Sequence, residues 1–244
     1  MNVIGPSSLY PESWYAESAE NAAKAAARIV PTVLDLIPAA SVVDVGCATG
    51  AFVAAFHGHG IADCLGIDGD WVPAAELRIP GSMFRSADLR TPLAVDRRFD
   101  LAVCLEVAEH IPESDTGVLL ESLAALSDVV LFSAAVPLQG GTGHVNEQWL
   151  SWWAARWGAL GYVPADLVRP KIWFDREVPV YYRQNTVLLV NKAALARWPS
   201  LACRIRLDAY DLDRVHPEMW LDRAAFADDA AASTTSRPDA PPRR

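Results

Sequence analysis

A chain of 244 residues with 52% hydrophobic and 21% charged residues can bury a sizeable core and is too apolar to stay disordered. Its formal net charge of −9 and pI near 5.0 argue against a nucleic-acid-binding surface, which needs clustered Lys and Arg to displace counterions. The opening MNVIGPSSLYPESWY lacks the basic and apolar segments of a signal peptide. No apolar run reaches the ~18–20 residues of a membrane span, so a cytoplasmic protein is expected.

The Ala-rich stretch 12–37 reads as a helix interrupted by Pro31, the N-terminal cap of a first segment, 1–40. SVVDVG (41–46) has the β-branched pattern of a buried parallel strand, and AFVAAFHGHG after it reads as a helix closed by glycine. CLGID (64–68), MFRSADL (83–89) and FDLAVCLE (99–106) supply three more strands. ESDTGVLLESLAALS carries apolar residues at helical spacing, with Ser114 or Asp115 as the expected N-cap. DVVLFSAAV (128–136) is a fifth strand, followed by the loop PLQGGTGHVNEQ and a Trp-rich helix from Asn146 to Tyr162. The glycines at 140, 141 and 143 suggest that this loop is a mobile lid. VPVYYRQNTVLLVNK (178–192) reads as one long final strand paired with another near 166–173.

Alternating strands and helices imply an α/β fold with a doubly wound, Rossmann-like sheet, and the two closing strands imply an antiparallel edge. The expected domain is 41–192, with a C-terminal extension over 193–226. The Ala-, Ser-, Asp- and Pro-rich 227–244 is an expected disordered tail. Cys47, Cys64, Cys104 and Cys203 have no metal or redox spacing and read as buried free thiols.

The strongest local signal is VVDVGCATG (42–50). A strand ending in Gly46-x-x-x-Gly50 lets the backbone approach a ligand closely, with the amides of the next helix facing it. Asp44 lies inside the strand, where a dinucleotide fingerprint needs no carboxylate, and the G-x-G-x-x-G spacing is missing; both disfavour a nicotinamide enzyme. Asp68 ends the second strand, where an acid can accept both hydroxyls of a ribose.

VVDVGCATG, LGIDGDW, SADL and FDLAVCLEVAEHIP, in that order, resemble the class I S-adenosylmethionine-dependent methyltransferases over about residues 40–192. The resemblance implies a seven-stranded sheet, mostly parallel with an antiparallel last strand. It also implies that Asp44, Gly46, Cys47, Ala48 and Gly50 surround the methionine part of the cofactor. Asp68 would hold the ribose with Gly69 beside it, and Asp88 would accept from the adenine amino group. Ala87, Leu89 and Leu105 would complete the cofactor-facing set. Ala48 departs from the family pattern, which usually has glycine there. VLFSAAVPLQGGTGHVNEQW (130–149) and YYRQN (181–185) resemble bacterial methyltransferases of small molecules, often in sugar or natural-product pathways.

On the acceptor side, CLEVAEHIP follows the fourth strand. Its Glu106, Glu109 and His110 have the spacing that one helical turn would place on one face. Both this segment and the loop bearing His144 leave carboxyl ends of strands, where an open α/β sheet binds ligands. Three readings of Glu106, Glu109, His110 and His144 stay open. They orient the helix and cofactor, or His144 is a metal-free general base, or the four hold Mg²⁺. The E-x-x-E-H pattern with a later His is similar to that of small-RNA 3′-terminal 2′-O-methyltransferases, in which a metal holds a vicinal diol; the acidic charge argues against RNA here. Trp149 is the aromatic residue expected in the acceptor pocket. Arg183 would bind an anionic group or pair with an acid of the protein.

The expected activity is methylation of a hydroxyl on a small polar molecule. The alternatives are N- or C-methylation, or a non-catalytic cofactor-binding subunit.

Overall fold

The computed structural model describes residues 12–198, 201 and 211–223, with side chains from residue 18 onward; Cys203 and the expected tail at 227–244 lie outside the described residues. Seven strands form one sheet in the order β3-β2-β1-β4-β5-β7-β6. They are β1 (Ser41–Val45), β2 (Asp63–Asp68), β3 (Phe84–Ser86), β4 (Leu101–Leu105), β5 (Val129–Ser133), β6 (Tyr162–Ala165) and β7 (Val187–Asn191). β1 to β5 pair in parallel, whereas β7 runs antiparallel to both β5 and β6. The fold class read from the sequence is therefore the one observed. The edge differs in one respect: β7 is inserted between β5 and β6, so β6 is the edge strand.

The central strands are buried on both faces, and alternate residues feed two cores. Val42, Val103, Leu131 and Leu188 point to one core, where α1 (Glu12–Leu34), α2 (Ala51–Gly58) and α5 (Arg169–Ile172) pack. Val43, Cys104, Phe132 and Leu189 point to the other, under α3 (Thr116–Leu126) and α4 (Leu150–Ala159). Trp153 and Trp157 are wholly buried there, so the tryptophan face of α4 is core from its second turn on.

Three local expectations are corrected. α1 runs through Pro31 for one more turn before ending at Leu34. The lost backbone donor is outweighed by burial of Ile29, Val30 and Val33 around it. α3 starts where expected, but Asp115 makes no side-chain cap and instead accepts from Ser114 Oγ at 3.1 Å. The long strand at 178–192 and its partner at 166–173 are not formed. α6 (Val180–Asn185) is a helix ahead of β7, and 169–172 is the helix α5. Arg183, Gln184 and Asn185 are consecutive, buried and polar. A strand would have pushed alternate members into apolar layers, whereas a helical turn sends each to its own partner.

Of the segment after β7, residues 211–223 pack back on the domain. Asp213 accepts from Ser151 N at 2.8 Å, Leu212 O from Arg169 Nη1 at 2.7 Å, and Gln184 Oε1 from His216 N at 2.8 Å.

Ile29 tests whether α1 is part of this fold or an appended cap. Ile29→Ala is expected to lower stability by ~2–5 kcal/mol, read as a lower denaturation midpoint in urea. An unchanged midpoint would make α1 dispensable to the core.

Candidate active site

The crevice lies at the carboxyl ends of β1, β2 and β4, where the sheet order turns outward in both directions. On its donor side the turn after β1 is built on glycine. Gly46 has φ +83°, and a Cβ there would overlap Val107; Gly50 has φ +87°, and a Cβ would sit 2.8 Å from Ile79 Cδ1. Ala48 also takes a positive φ, 46°, so the residue that replaces the family's glycine adopts the glycine conformation. Its amide is held by Asp68, whose Oδ2 accepts from Ala48 N at 2.7 Å and whose Oδ1 accepts from Gly69 N at 2.6 Å. Burial raises the Asp68 pKa, and these two amides offset part of the rise. Asp68 thus shapes the loop with one lone pair on each oxygen and keeps further acceptor capacity for a ligand.

Asp44 is different. It is buried, accepts no hydrogen bond among the described residues, and its pKa is pushed up to about 8 by burial and then by the charge of Asp68. Cys47 lies under the loop, its thiol against Gly66 and its pKa pushed well up by burial. Leu89 and Leu105 are buried, and Ala87 N donates to Asp68 O at 2.7 Å. Asp88 is half-exposed and gripped by Arg90, which donates to both of its oxygens at 2.9 and 2.8 Å; this pairing holds its carboxyl below the usual range. Trp71 escaped the sequence reading. Its ring lies where a Cβ of residue 69 would be, so Gly69 makes room for an aromatic wall beside Asp68.

The acceptor side starts at Glu106, which does not share a helical face with Glu109 and His110. Its φ of 54° turns the chain sharply at the end of β4, and only Ala108–His110 form a 3₁₀ turn. Glu106 N donates to Ser133 O and Oγ at 3.1 and 3.0 Å. Its carboxylate accepts from Gln139 Nε2 at 2.9 Å and from Asn185 Nδ2 at 3.2 Å. Burial raises its pKa, and Ser133, Asn185, Gln139 and His144 pull it back. Asn185 and Gln139 come from the YRQN and QGG stretches, so the two sequence motifs meet on this one carboxylate.

Glu109 is wholly buried, and neither carboxylate oxygen has a hydrogen-bond partner among the described residues. Its pKa is driven well up by burial and then by the charge of Glu106; the amides of Glu109 and Ala135 offset a little of this from outside hydrogen-bond geometry. His144 Nε2 lies 4.0 Å from Glu109 Oε1. The His110 and His144 rings meet edge-on with centroids 4.9 Å apart, and His110 Nδ1 is 3.3 Å from Gly143 O. Burial and the neighbouring His144 lower the His110 pKa to about 4, so it is neutral at physiological pH. One potential ligand atom from each of Glu109, His110 and His144 falls within a 4.8 Å cluster. The structure therefore brings three of the four expected ligands together and engages Glu106 with amides.

Trp149 is 38% exposed at the N-cap of α4, beside the loop. Arg183 is 3% exposed and donates to Glu218 and to Trp173 O, so of its two sequence readings the pairing with an acid is the observed one. Sequence reasoning also missed Gln139, Asn185 and Glu147, described below. Asn and Gln carry no spacing signal of their own, and their roles follow from burial beside a carboxylate.

A doubly wound sheet with a glycine turn after β1 and carboxylates at the ends of β1 and β2 defines an enzyme of the nucleoside-cofactor class. The family described as a methyltransferase domain matches residues 18–164, more than half of the chain. The chain belongs to that family, and its reaction is methyl transfer. Among solved structures its fold is similar to the sugar N-methyltransferase KedS8 from Streptoalloteichus, with TM-score 0.57, 17% identity and coverage of 74% of this chain and 92% of that one. It is similar to DesVI from Streptomyces venezuelae, with TM-score 0.54, 16% identity and coverage of 77% and 99%. It is also similar to CalS10 from Micromonospora echinaspora, an amino pentose methyltransferase, with TM-score 0.52, 15% identity and coverage of 75% and 98%. At these identities the likeness is one of fold. A search of curated proteins finds no match. No described helix is long and apolar enough to cross a membrane.

Asp44 gives the donor side a pH signature. Its folded pKa of about 8 exceeds its ordinary 3.8, so between those values the folded state holds a proton that the unfolded state has lost. Stability of the ligand-free protein therefore falls as pH rises through that window. Asp44→Asn is expected to raise the melting temperature at pH 8, by an amount on the order of a few kcal/mol in stability, and to flatten this dependence. Equal melting temperatures for the two proteins at pH 8 would show that Asp44 is not strained by burial. Separately, Asp68→Ala is expected to weaken S-adenosylhomocysteine binding by ~1–3 kcal/mol in calorimetry. Unchanged affinity would remove Asp68 from the cofactor site.

Proposed function

We propose that the chain methylates a hydroxyl of a small polar molecule, such as a sugar or a natural-product intermediate, with residues 41–192 as the catalytic domain. The carrying observation is the unpaired, buried Glu109 carboxylate beside His144 Nε2 on the acceptor side. A hydroxyl is a poor nucleophile until it sheds its proton, so its methylation calls for a proton acceptor at the crevice. An acceptor hydroxyl bridging the space between Glu109 and His144 gives its proton to His144 Nε2 as its oxygen bonds the methyl carbon. The carbon–sulfur bond breaks in the same step, and S-adenosylhomocysteine leaves with the electron pair. Trp149 is the residue we assign to the rim of the acceptor pocket. The donor residues expected from the sequence, Asp44, Gly46, Cys47, Ala48, Gly50, Asp68, Gly69, Ala87, Asp88, Leu89 and Leu105, keep their assignment to the cofactor in this reading. The net charge of −9 supports a small-molecule acceptor over nucleic acid.

A divalent ion is compatible with the same cluster, because the orphaned Glu109 oxygens and two imidazoles supply three ligand atoms. Two nitrogens and one carboxylate suit Mn²⁺, Fe²⁺ or Zn²⁺ better than the oxygen-seeking Mg²⁺ expected from the sequence. Such an ion would orient acceptor oxygens and lower the pKa of the one to be methylated.

N-methylation of an amino sugar is the second reading. Two buried carboxylates favour a cationic amine, and two proteins of similar fold are described as methylating a sugar nitrogen or an amino pentose.

Turnover with and without EDTA, assayed as S-adenosylhomocysteine release from a panel of sugar hydroxyls and amines, separates these readings. His144→Ala is expected to lower hydroxyl methylation by ~10²–10⁴ while leaving cofactor affinity unchanged. Loss with EDTA and recovery with Mn²⁺ assigns the cluster to a metal. Hydroxyl turnover that survives both treatments would sink both chemical roles of His144, and release only with amines would favour the second reading.

A further inference from the structure

Glu147 belongs to the HVNEQW stretch but has no part in the chemistry above. Its carboxylate is 2.9 Å from His144 Nδ1, and it also accepts from Gly140 N at 2.8 Å and from Leu138 N at 2.9 Å. One side chain thus ties the imidazole to two backbone amides of the glycine loop. Because Glu147 Oε1 already accepts from Gly140, the ring nitrogen facing it acts as the donor. That leaves the Nε2 lone pair on the side of Glu109.

The loop is built for this contact. Leu138, Gly140 and Gly141 have φ of 68°, 69° and 154°, and a Cβ on Gly141 would overlap the His144 ring. The far side of the turn is pinned by Arg223, which donates to Gln139 O, while the Gln139 side chain reaches Glu106. Past the imidazole, Val145 N and Asn146 N both donate to Glu109 O, at 2.9 and 3.0 Å. The chain on each side of His144 is therefore fixed, and among the described residues the hydrogen bond that selects the ring's tautomer is the one to Glu147, with Glu109 at 4.0 Å on the other nitrogen.

We propose that Glu147 is a positioning residue: it holds His144 with the proton on Nδ1 and Nε2 open toward the acceptor, and it couples that orientation to closure of the 138–140 turn. The proposal rests on the acceptor-side reading of His144 for its consequence in turnover, but the orientation itself is measurable without any acceptor. The imidazole then has the same state whether it takes a proton or binds an ion, since both need a free Nε2 lone pair.

The test is long-range ¹H–¹⁵N correlation of the histidine side chains in the full chain, with His144 assigned by its loss in His144→Ala. The wild-type spectrum is expected to show the Nδ1–H form. Glu147→Ala should shift His144 toward the Nε2–H form, and Glu147→Gln, which keeps one acceptor oxygen, should restore most of the Nδ1–H signal. Gly141→Ala should disturb the ring with Glu147 intact and covers the case in which Glu147→Ala does not fold. With an acceptor in hand, Glu147→Ala should lower kcat ~10–100-fold with little change in cofactor affinity. An Nε2–H signature in the wild type, or an unchanged tautomer in both Glu147 variants, would overturn the proposal. A tautomer that moves as expected with kcat untouched would uphold the positioning by Glu147 and defeat instead the chemical role given to His144.

Discussion

The structure is organised around buried carboxylates. Asp44, Asp68, Glu106 and Glu109 stand at or just past the carboxyl ends of parallel strands, and each is buried or held by buried partners. Taking a carboxylate out of water is costly unless hydrogen bonds replace the lost solvation. Two of the four are compensated by the protein: Asp68 by the amides of Ala48 and Gly69, and Glu106 by Gln139 and Asn185. Asp44 and Glu109 are not. One uncompensated acid lies on the donor side and one on the acceptor side, and a methyl-transfer enzyme needs something cationic or proton-bearing in each place. Burial raises the pKa of both, so each acid lowers its cost by holding a proton. In the function proposed above, a cationic cofactor would face the first and the acceptor the second.

How much of this could be read from the sequence follows from the range of the forces involved. The glycine turn and the strands before and after it were legible because local conformation and period-two burial are written in adjacent residues. Asp68 was legible because a strand end about twenty residues after the turn has a fixed place in such a sheet. The segment 178–192 misled because Val, Tyr and Leu favour strands, whereas what decides it is three successive polar residues whose partners, Glu218, His216 and Glu106, lie 32 or more positions away. The helical spacing of Glu106, Glu109 and His110 misled for a related reason. A single residue with positive φ at the end of β4 turns Glu106 away from the face its neighbours share.

The stretch beyond β7 also had no periodicity to announce its role. Residues 211–223 nonetheless touch α4 through Asp213, α5 through Leu212, α6 through His216 and Glu218, and the glycine loop through Arg223. These contacts meet buried or backbone polar groups, a matter of hydrogen-bond completeness, and Leu212 and Met219 add apolar burial. Gln184 connects the two systems, since its side chain accepts from His216 N and donates to Asn185, which in turn reaches Glu106. The C-terminal segment is thereby joined to the acceptor crevice through a short chain of amides, with no apolar layer between.

Backbone strain lies around the same crevice as these buried acids. The non-glycine residues with positive φ among the described residues are Ala48, Glu106 and Leu138. Each such residue costs ~1–3 kcal/mol and persists only where its surroundings over-determine it. Ala48 is held by Asp68, Glu106 by Ser133 and Leu138 by Glu147, so a polar contact fixes each strained turn on the rim of the crevice. The donor loop, the end of β4 and the acceptor loop are thus each braced by a polar contact from within the protein. Every brace of this kind lowers the ordering that a ligand has to supply, and leaves more of its binding energy to align the reacting atoms.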